Sequence, residues 1–112
     1  MRILVLDDRP LVARSLARTF RGCDAVHVTD PAEALILARS THFDGLLVDL
    51  RMPAMHGRHF HEELHRTDPG VAAKVVFVTA DPPDHDLPAP VVWKPMSPDQ
   101  ADRLVARWKR LG

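Results

Sequence analysis

Apolar residues in this chain fall into short unbroken runs, and stretches of helical period separate them. Ile3-Leu4-Val5-Leu6, Leu46-Leu47-Val48, Val75-Val76-Phe77-Val78 and Val91-Val92-Trp93 show no polar alternation. Such runs mark strands buried on both faces, the habit of parallel sheets covered by helices. They predict strands over residues 2–7, 45–49, 74–79 and 91–93, with a shorter one at 25–28. Between them the period changes to three and four. Pro10 can open a helix that carries Val12, Leu16 and Phe20 on one face, with Arg14, Arg18 and Arg21 elsewhere. Asp30-Pro31-Ala32-Glu33 reads as an acidic cap followed by a first-turn proline, and Ala34, Leu35 and Ala38 turn inward. A helix over 57–66 has Phe60 and Leu64 on one face. Ser97-Pro98-Asp99-Gln100 repeats the capping pattern ahead of Ala101, Leu104, Val105, Trp108 and Leu111. Strands alternating with helices predict βα units around a parallel sheet.

One segment breaks the alternation. Residues 80–90 contain four prolines in eleven positions. Each proline removes an amide donor and restricts the residue before it. A loop is expected there, with at most one turn near 84–87. Trp93 and Trp108 are expected to cover the sheet face that a helix would otherwise cover.

Composition narrows the classes. A length of 112 residues with 46% hydrophobic positions supports one domain over 1–112 with its own core. A formal net charge of zero without a basic block argues against a nucleic-acid surface. The single Cys23 fits a reducing, cytoplasmic setting. No apolar stretch approaches the roughly 20 residues of a membrane span, and a chain that opens on a strand is expected to carry no signal peptide.

The chemistry gathers at strand ends. Asp7 and Asp8 close the first strand, Asp49 the third, Thr79 the fourth and Lys94 the fifth. In open α/β sheets, sites lie at the carboxyl edge. Three acids, a hydroxyl and a cation on that edge suit a divalent metal and a phosphoryl group. A carboxylate can attack phosphorus to give an acyl phosphate, and such transfer depends on cations placed around the oxygens. Taken singly, a strand-end Asp is an ordinary cap and a Lys-Pro pair an ordinary turn; the force lies in the set.

Asp7-Asp8, Asp49 within Asp-Leu-Arg-Met-Pro, the later Gly57, Thr79-Ala80 and Lys94-Pro95 together resemble the receiver domain of bacterial two-component response regulators. The resemblance runs the length of the chain. It implies a doubly wound, flavodoxin-like α/β fold with five strands in the order 2-1-3-4-5. It implies Asp49 as the phosphoacceptor, with Thr79 and Lys94 on the phosphoryl oxygens. Mg²⁺ or Mn²⁺ would be held by Asp7, Asp8, Asp49 and the Arg51 backbone carbonyl. The phosphoryl donor would be a histidine of a kinase or phosphotransfer domain docking on the first helix near Val12, Arg14 and Ser15. The domain would catalyse its own phosphorylation and dephosphorylation without being a conventional enzyme, standing alone or cut from a hybrid kinase. Arg51 and Asp81, each two residues past a site residue, would flank the mouth and tune the lifetime of the phosphoryl group. A cis peptide is expected between Lys94 and Pro95.

The chain also departs from that family. Only fourteen residues separate Thr79 from Lys94, so the family's fourth helix is expected to be missing or reduced to a loop. Val91 stands where the family often has an aromatic switch. A monomer that binds no nucleic acid directly and no membrane is therefore expected. Two other functions compete: a phosphorylation-independent interaction module on the same fold, and a zinc hydrolase. The second rests on His61-Glu62-Glu63-Leu64-His65, an H-E-x-x-H match on a helix; the same five residues also describe a solvated helix face.

Overall fold

The computed structural model describes residues 1–81 and 86–112. Five strands form one parallel sheet: β1 (Arg2–Leu6), β2 (Asp24–Val28), β3 (Gly45–Asp49), β4 (Val75–Thr79) and β5 (Val91–Trp93), in the order β2-β1-β3-β4-β5. This is the expected flavodoxin-like order. Successive side chains on a strand point to opposite faces, and the core divides accordingly. Leu4, Leu6, Leu46, Val48 and Phe77 face one way, against α2 (Pro31–Ser40), α3 (Gly57–Thr67) and α4 (Pro69–Ala72). Ile3, Val5, Leu47, Val76 and Val78 face the other way, against α1 (Pro10–Thr19) and α5 (Pro98–Leu111). Burial on both faces is why the central strands carry no polar alternation.

Helix starts follow the capping chemistry of the sequence. Asp30 accepts from the Ala32 amide at 3.1 Å, and Ser97 and Gln100 form a reciprocal capping box. His56 caps α3 with its ring, its Nδ1 accepting from the Arg58 amide at 3.1 Å. The short α4, capped by Asp68, was not expected from the sequence, because one turn has no period to read. Between β4 and β5 the described residues contain no helix. Half of the single turn expected near 84–87, residues 84 and 85, lies outside the described residues. No helix among the described residues is long and apolar enough to cross a membrane.

Two expectations about cover need correction. Trp93 is 47% exposed and covers nothing, since β5 is an edge strand only three residues long. Leu111, the last residue of α5, is also exposed. Leu87, Ala89 and Val91 pack against the face the two were expected to cover, while Trp108 packs on the opposite sheet face, with α1 and α5. Its ring is buried against Phe20, with centroids 5.8 Å apart, and its Nε1 donates to the Lys74 carbonyl at 2.8 Å. Gly45 lets the indole lie flat on β3.

A Cβ at residue 45 would fall 2.1 Å from the Trp108 ring. Gly45→Ala should therefore cost about 1–3 kcal/mol, the usual penalty of overpacking. Urea unfolding measures it, and a midpoint unchanged from the native chain would show that α5 is not seated on Gly45.

Candidate functional site

Strand register brings the polar residues level. Leu6 lies opposite Val48 and Asp49 opposite Val78. Asp7 and Asp49 therefore emerge side by side, one step beyond the last shared pair. Thr79 lies opposite Trp93, and the Lys94 amide donates to the Thr79 carbonyl at 2.9 Å, which sets Lys94 next in line. The Lys94–Pro95 peptide is cis, as expected.

The resulting cluster is buried and charged. Asp7 is 0%, Asp49 3% and Thr79 1% exposed. Lys94 Nζ donates to Asp7 Oδ2 at 2.6 Å and to Asp49 Oδ1 at 3.2 Å. One ammonium thus serves two carboxylates. Asp8 is half-buried beside them, and one carboxylate oxygen from each of Asp7, Asp8 and Asp49 lies within 4.8 Å of the others. Three carboxylates against the Lys94 ammonium and the more distant Arg9 guanidinium, 3.8 Å from Asp7, leave negative charge in excess. Burial, and next the charge of Asp7, push the Asp49 carboxyl up to about 6; Lys94 and the Arg51 amide pull the other way. Crowded hard oxygen donors with this residual charge suit Mg²⁺ or Mn²⁺, so the donor set fits the metal that the sequence implied.

The cluster opens into a cleft of about 410 Å³ lined by Asp8, Arg9, Asp49, Arg51, Pro53, Thr79, Ala80, Asp81 and Lys94. The Thr79 hydroxyl accepts from the Asp81 amide at 3.2 Å. That bond uses an oxygen lone pair and leaves the hydroxyl hydrogen to be donated elsewhere. Arg51 Nε lies 3.6 Å from Asp81 Oδ2, with both side chains well exposed. Gly57 allows the loop from Leu50 to pack under the site: its amide donates to the Leu50 carbonyl at 2.8 Å, and a Cβ there would sit 2.7 Å from the Asp49 carbonyl oxygen.

Among the polar groups at this edge, Arg9 escaped the sequence reading. Its amide donates to Asp7 Oδ1 at 3.0 Å, and its guanidinium Nε stands 3.8 Å from the same oxygen. The only sequence signal is its place directly after Asp7-Asp8, before the helix-opening Pro10.

A family model described as the response regulator receiver domain matches residues 3–89. The chain belongs to that family. The matched span includes Asp7, Asp8, Asp49 and Thr79 and stops short of β5 and Lys94. A response regulator receiver protein of Anaeromyxobacter sp. (strain Fw109-5) is 48% identical over 77 residues, covering 67% of this chain and 32% of that protein. The positive alginate biosynthesis regulatory protein of Pseudomonas aeruginosa is 35% identical over 85 residues, covering 71% of this chain and 34% of that protein. The chain thus spans about a third of the length of these relatives. In fold it is similar to a CheY-like receiver domain protein from Methanospirillum hungatei JF-1, with a TM-score of 0.85 at 22% identity, over 98% of this chain and 94% of that one.

The H-E-x-x-H residues lie elsewhere in this receiver domain. His61 is buried rather than solvated, its ring 6.2 Å from Phe77 and 6.0 Å from His65. Burial, then the neighbouring His65, holds its pKa below the usual imidazole value. Among the described residues, no third His, Cys, Asp or Glu joins His61 and His65 in a metal-binding set.

The raised Asp49 pKa has a definite sign. The folded chain holds this proton more tightly than the unfolded chain does. The stability it confers is present below about pH 4 and is lost as pH rises through about 6. The loss amounts to about 2–3 kcal/mol. Asp49→Asn removes the titrating group, so in metal-free buffer it should unfold at higher temperature than the native chain at pH 7 and lose that advantage near pH 4. Melting curves across this range check it, and parallel curves would contradict the assigned shift.

Proposed function

We propose that this receiver domain, read as one unit over 1–112, is a phosphoacceptor of a two-component phosphorelay. Asp49 takes the phosphoryl group from a phosphohistidine of a kinase or phosphotransfer domain. The observation that carries the reading is the Lys94 ammonium between the buried Asp7 and Asp49 carboxylates, at the floor of a cleft that also holds Thr79. One Asp49 oxygen forms a bond to phosphorus while the bond from phosphorus to the histidine nitrogen breaks. The electron pair of that bond leaves with the imidazole, which takes up a proton. Lys94 and the Thr79 hydroxyl then meet two of the phosphoryl oxygens, where charge gathers during transfer. Asp7, Asp8, Asp49 and the Arg51 carbonyl would hold Mg²⁺ or Mn²⁺, which would supply further positive charge to the phosphoryl group during transfer. Hydrolysis by water releases phosphate and restores the carboxylate.

The partner would dock on α1. An apolar groove of about 460 Å³ runs there between Leu11, Val12, Ser15, Leu16 and Thr19 on one side and Pro95 and Met96 on the other. Arg9, Ala80 and Lys94 line both the groove and the cleft, so a donor seated in the groove has a short path to Asp49. With no helix among the described residues between β4 and β5, we read the domain as a cytoplasmic monomer in both states that contacts no nucleic acid itself. Its output then passes through the Asp81 loop and the α1 and α5 surfaces.

Phosphorylation by acetyl phosphate tests the reading. Asp49→Asn should abolish Mg²⁺-dependent labelling with the fold intact, and stoichiometric labelling of that variant would refute the assignment. Mg²⁺ should raise the melting temperature of the native chain by relieving carboxylate repulsion, and removal of both Asp7 and Asp8 should erase the rise. A native chain that ignores Mg²⁺ would dismiss the metal.

The Arg51–Asp81 pair spans the mouth where water must enter. Asp81→Ala should shorten the lifetime of the phosphorylated state about two- to tenfold, up to about 1.4 kcal/mol of barrier. Decay of the label after removal of donor measures it, and an unchanged half-life would show that the pair does not gate water. Light scattering of the labelled and unlabelled chain reads the oligomeric state; a phosphorylation-driven dimer would overturn the monomer.

A further inference from the structure

We propose that Arg9 is an internal counter-ion of Asp7, one that yields to the divalent cation and then draws the anionic phosphodonor into the cleft. The inference rests on the phosphoacceptor reading and adds a positioning residue to it. Both oxygens of Asp7 are engaged by cations of the chain itself: Oδ2 by Lys94 at 2.6 Å, and Oδ1 by the Arg9 amide at 3.0 Å with the guanidinium Nε at 3.8 Å. The two contacts to Oδ1 differ in kind. The amide bond is fixed by the backbone turn into α1. The guanidinium contact is long, and its side chain is 59% exposed while Asp7 is fully buried. At 3.8 Å, with the guanidinium mostly in solvent, this half of the pair is held weakly and readily exchanged.

A divalent cation on Asp7 repels the guanidinium and competes for the same carboxylate. It also supplies the positive charge the cluster lacks, which removes the reason for Arg9 to stay. The released side chain is attached at the boundary of the acidic cleft and the α1 groove, since Arg9 lines both. A guanidinium presents a planar fork of donors that matches two phosphoryl oxygens. The cleft's other guanidinium, that of Arg51, is engaged with Asp81. Arg9 is therefore placed to meet a phosphoryl group on its way from the groove to Asp49, and it does so only once metal has taken its partner. Metal binding and donor capture become ordered, with metal first.

Arg9→Gln and Arg9→Lys in the full chain test this with two readouts. Calorimetric titration with Mg²⁺ alone should give several-fold tighter binding for Arg9→Gln and native-like binding for Arg9→Lys. At saturating Mg²⁺ and sub-saturating acetyl phosphate, labelling of Arg9→Gln should slow about three- to tenfold and lose part of its salt dependence, and Arg9→Lys should restore most of the rate. Tighter metal with slower capture is a pairing that general damage to the site does not produce. Native values in both readouts, or weaker metal together with slower labelling, would overturn the proposal; a change in one readout alone would overturn the ordering. A native chain that binds Mg²⁺ but takes no label would overturn the phosphoacceptor reading instead, and the titration would still decide whether Arg9 is a counter-ion.

Discussion

The contact on which the site depends is the bridge from Lys94 to Asp7 and Asp49. Two carboxylates and an ammonium are almost wholly removed from water there. Burying charge is costly unless it is paired, and here the pairing is incomplete because one cation faces more than one anion. The cluster is therefore held in a state that a further positive charge improves. A stable core would avoid that imbalance. A site proposed to take a cation and then an anion would depend on it.

The rest of the fold works to keep that imbalance in register. β1, β3, β4 and β5 end within a residue or two of one another, so the four polar ends converge without long loops. Core packing on both sheet faces fixes the register, since a one-residue slip would exchange the side chains fitted against α1 and α5 with those fitted against α2 and α3. Gly57 brings the start of α3 against the backbone of Asp49 and Leu50, closing the cluster from below. Trp108 does the corresponding work at the opposite end of the sheet, where its indole lies on Gly45 and bonds to the Lys74 carbonyl.

The surface around the cleft is divided. On one side the α1 groove is apolar, open and edged by Leu11, which is 80% exposed. On the other, Arg51 and Asp81 face each other across the mouth. On the proposed function, donor and water would enter from different sides of one cleft, and different residues would tune transfer and hydrolysis.

Much of this was legible in the amino-acid sequence. Unbroken apolar runs gave the strands, because strands buried on both faces need no polar alternation. Asp30, Ser97 and Gln100 gave helix starts, because capping is local. Asp7, Asp8, Asp49, Thr79 and Lys94 stood out because each ends such a run, and Arg51 and Asp81 followed from their spacing. Tertiary structure decided what depends on neighbours distant in sequence. It buried His61, which the helical pattern alone left on a solvated face. It exposed Trp93, because an edge strand has nothing beyond it to pack against. It raised the Asp49 pKa through burial and Asp7, and it set Arg9 against Asp7, a contact for which the sequence offers only adjacency. Local patterns record hydrophobic period and hydrogen-bond chemistry, which act over a few residues. Charge balance and exposure depend on which residues the fold brings together, and those lie up to 87 positions apart in the Lys94–Asp7 pair.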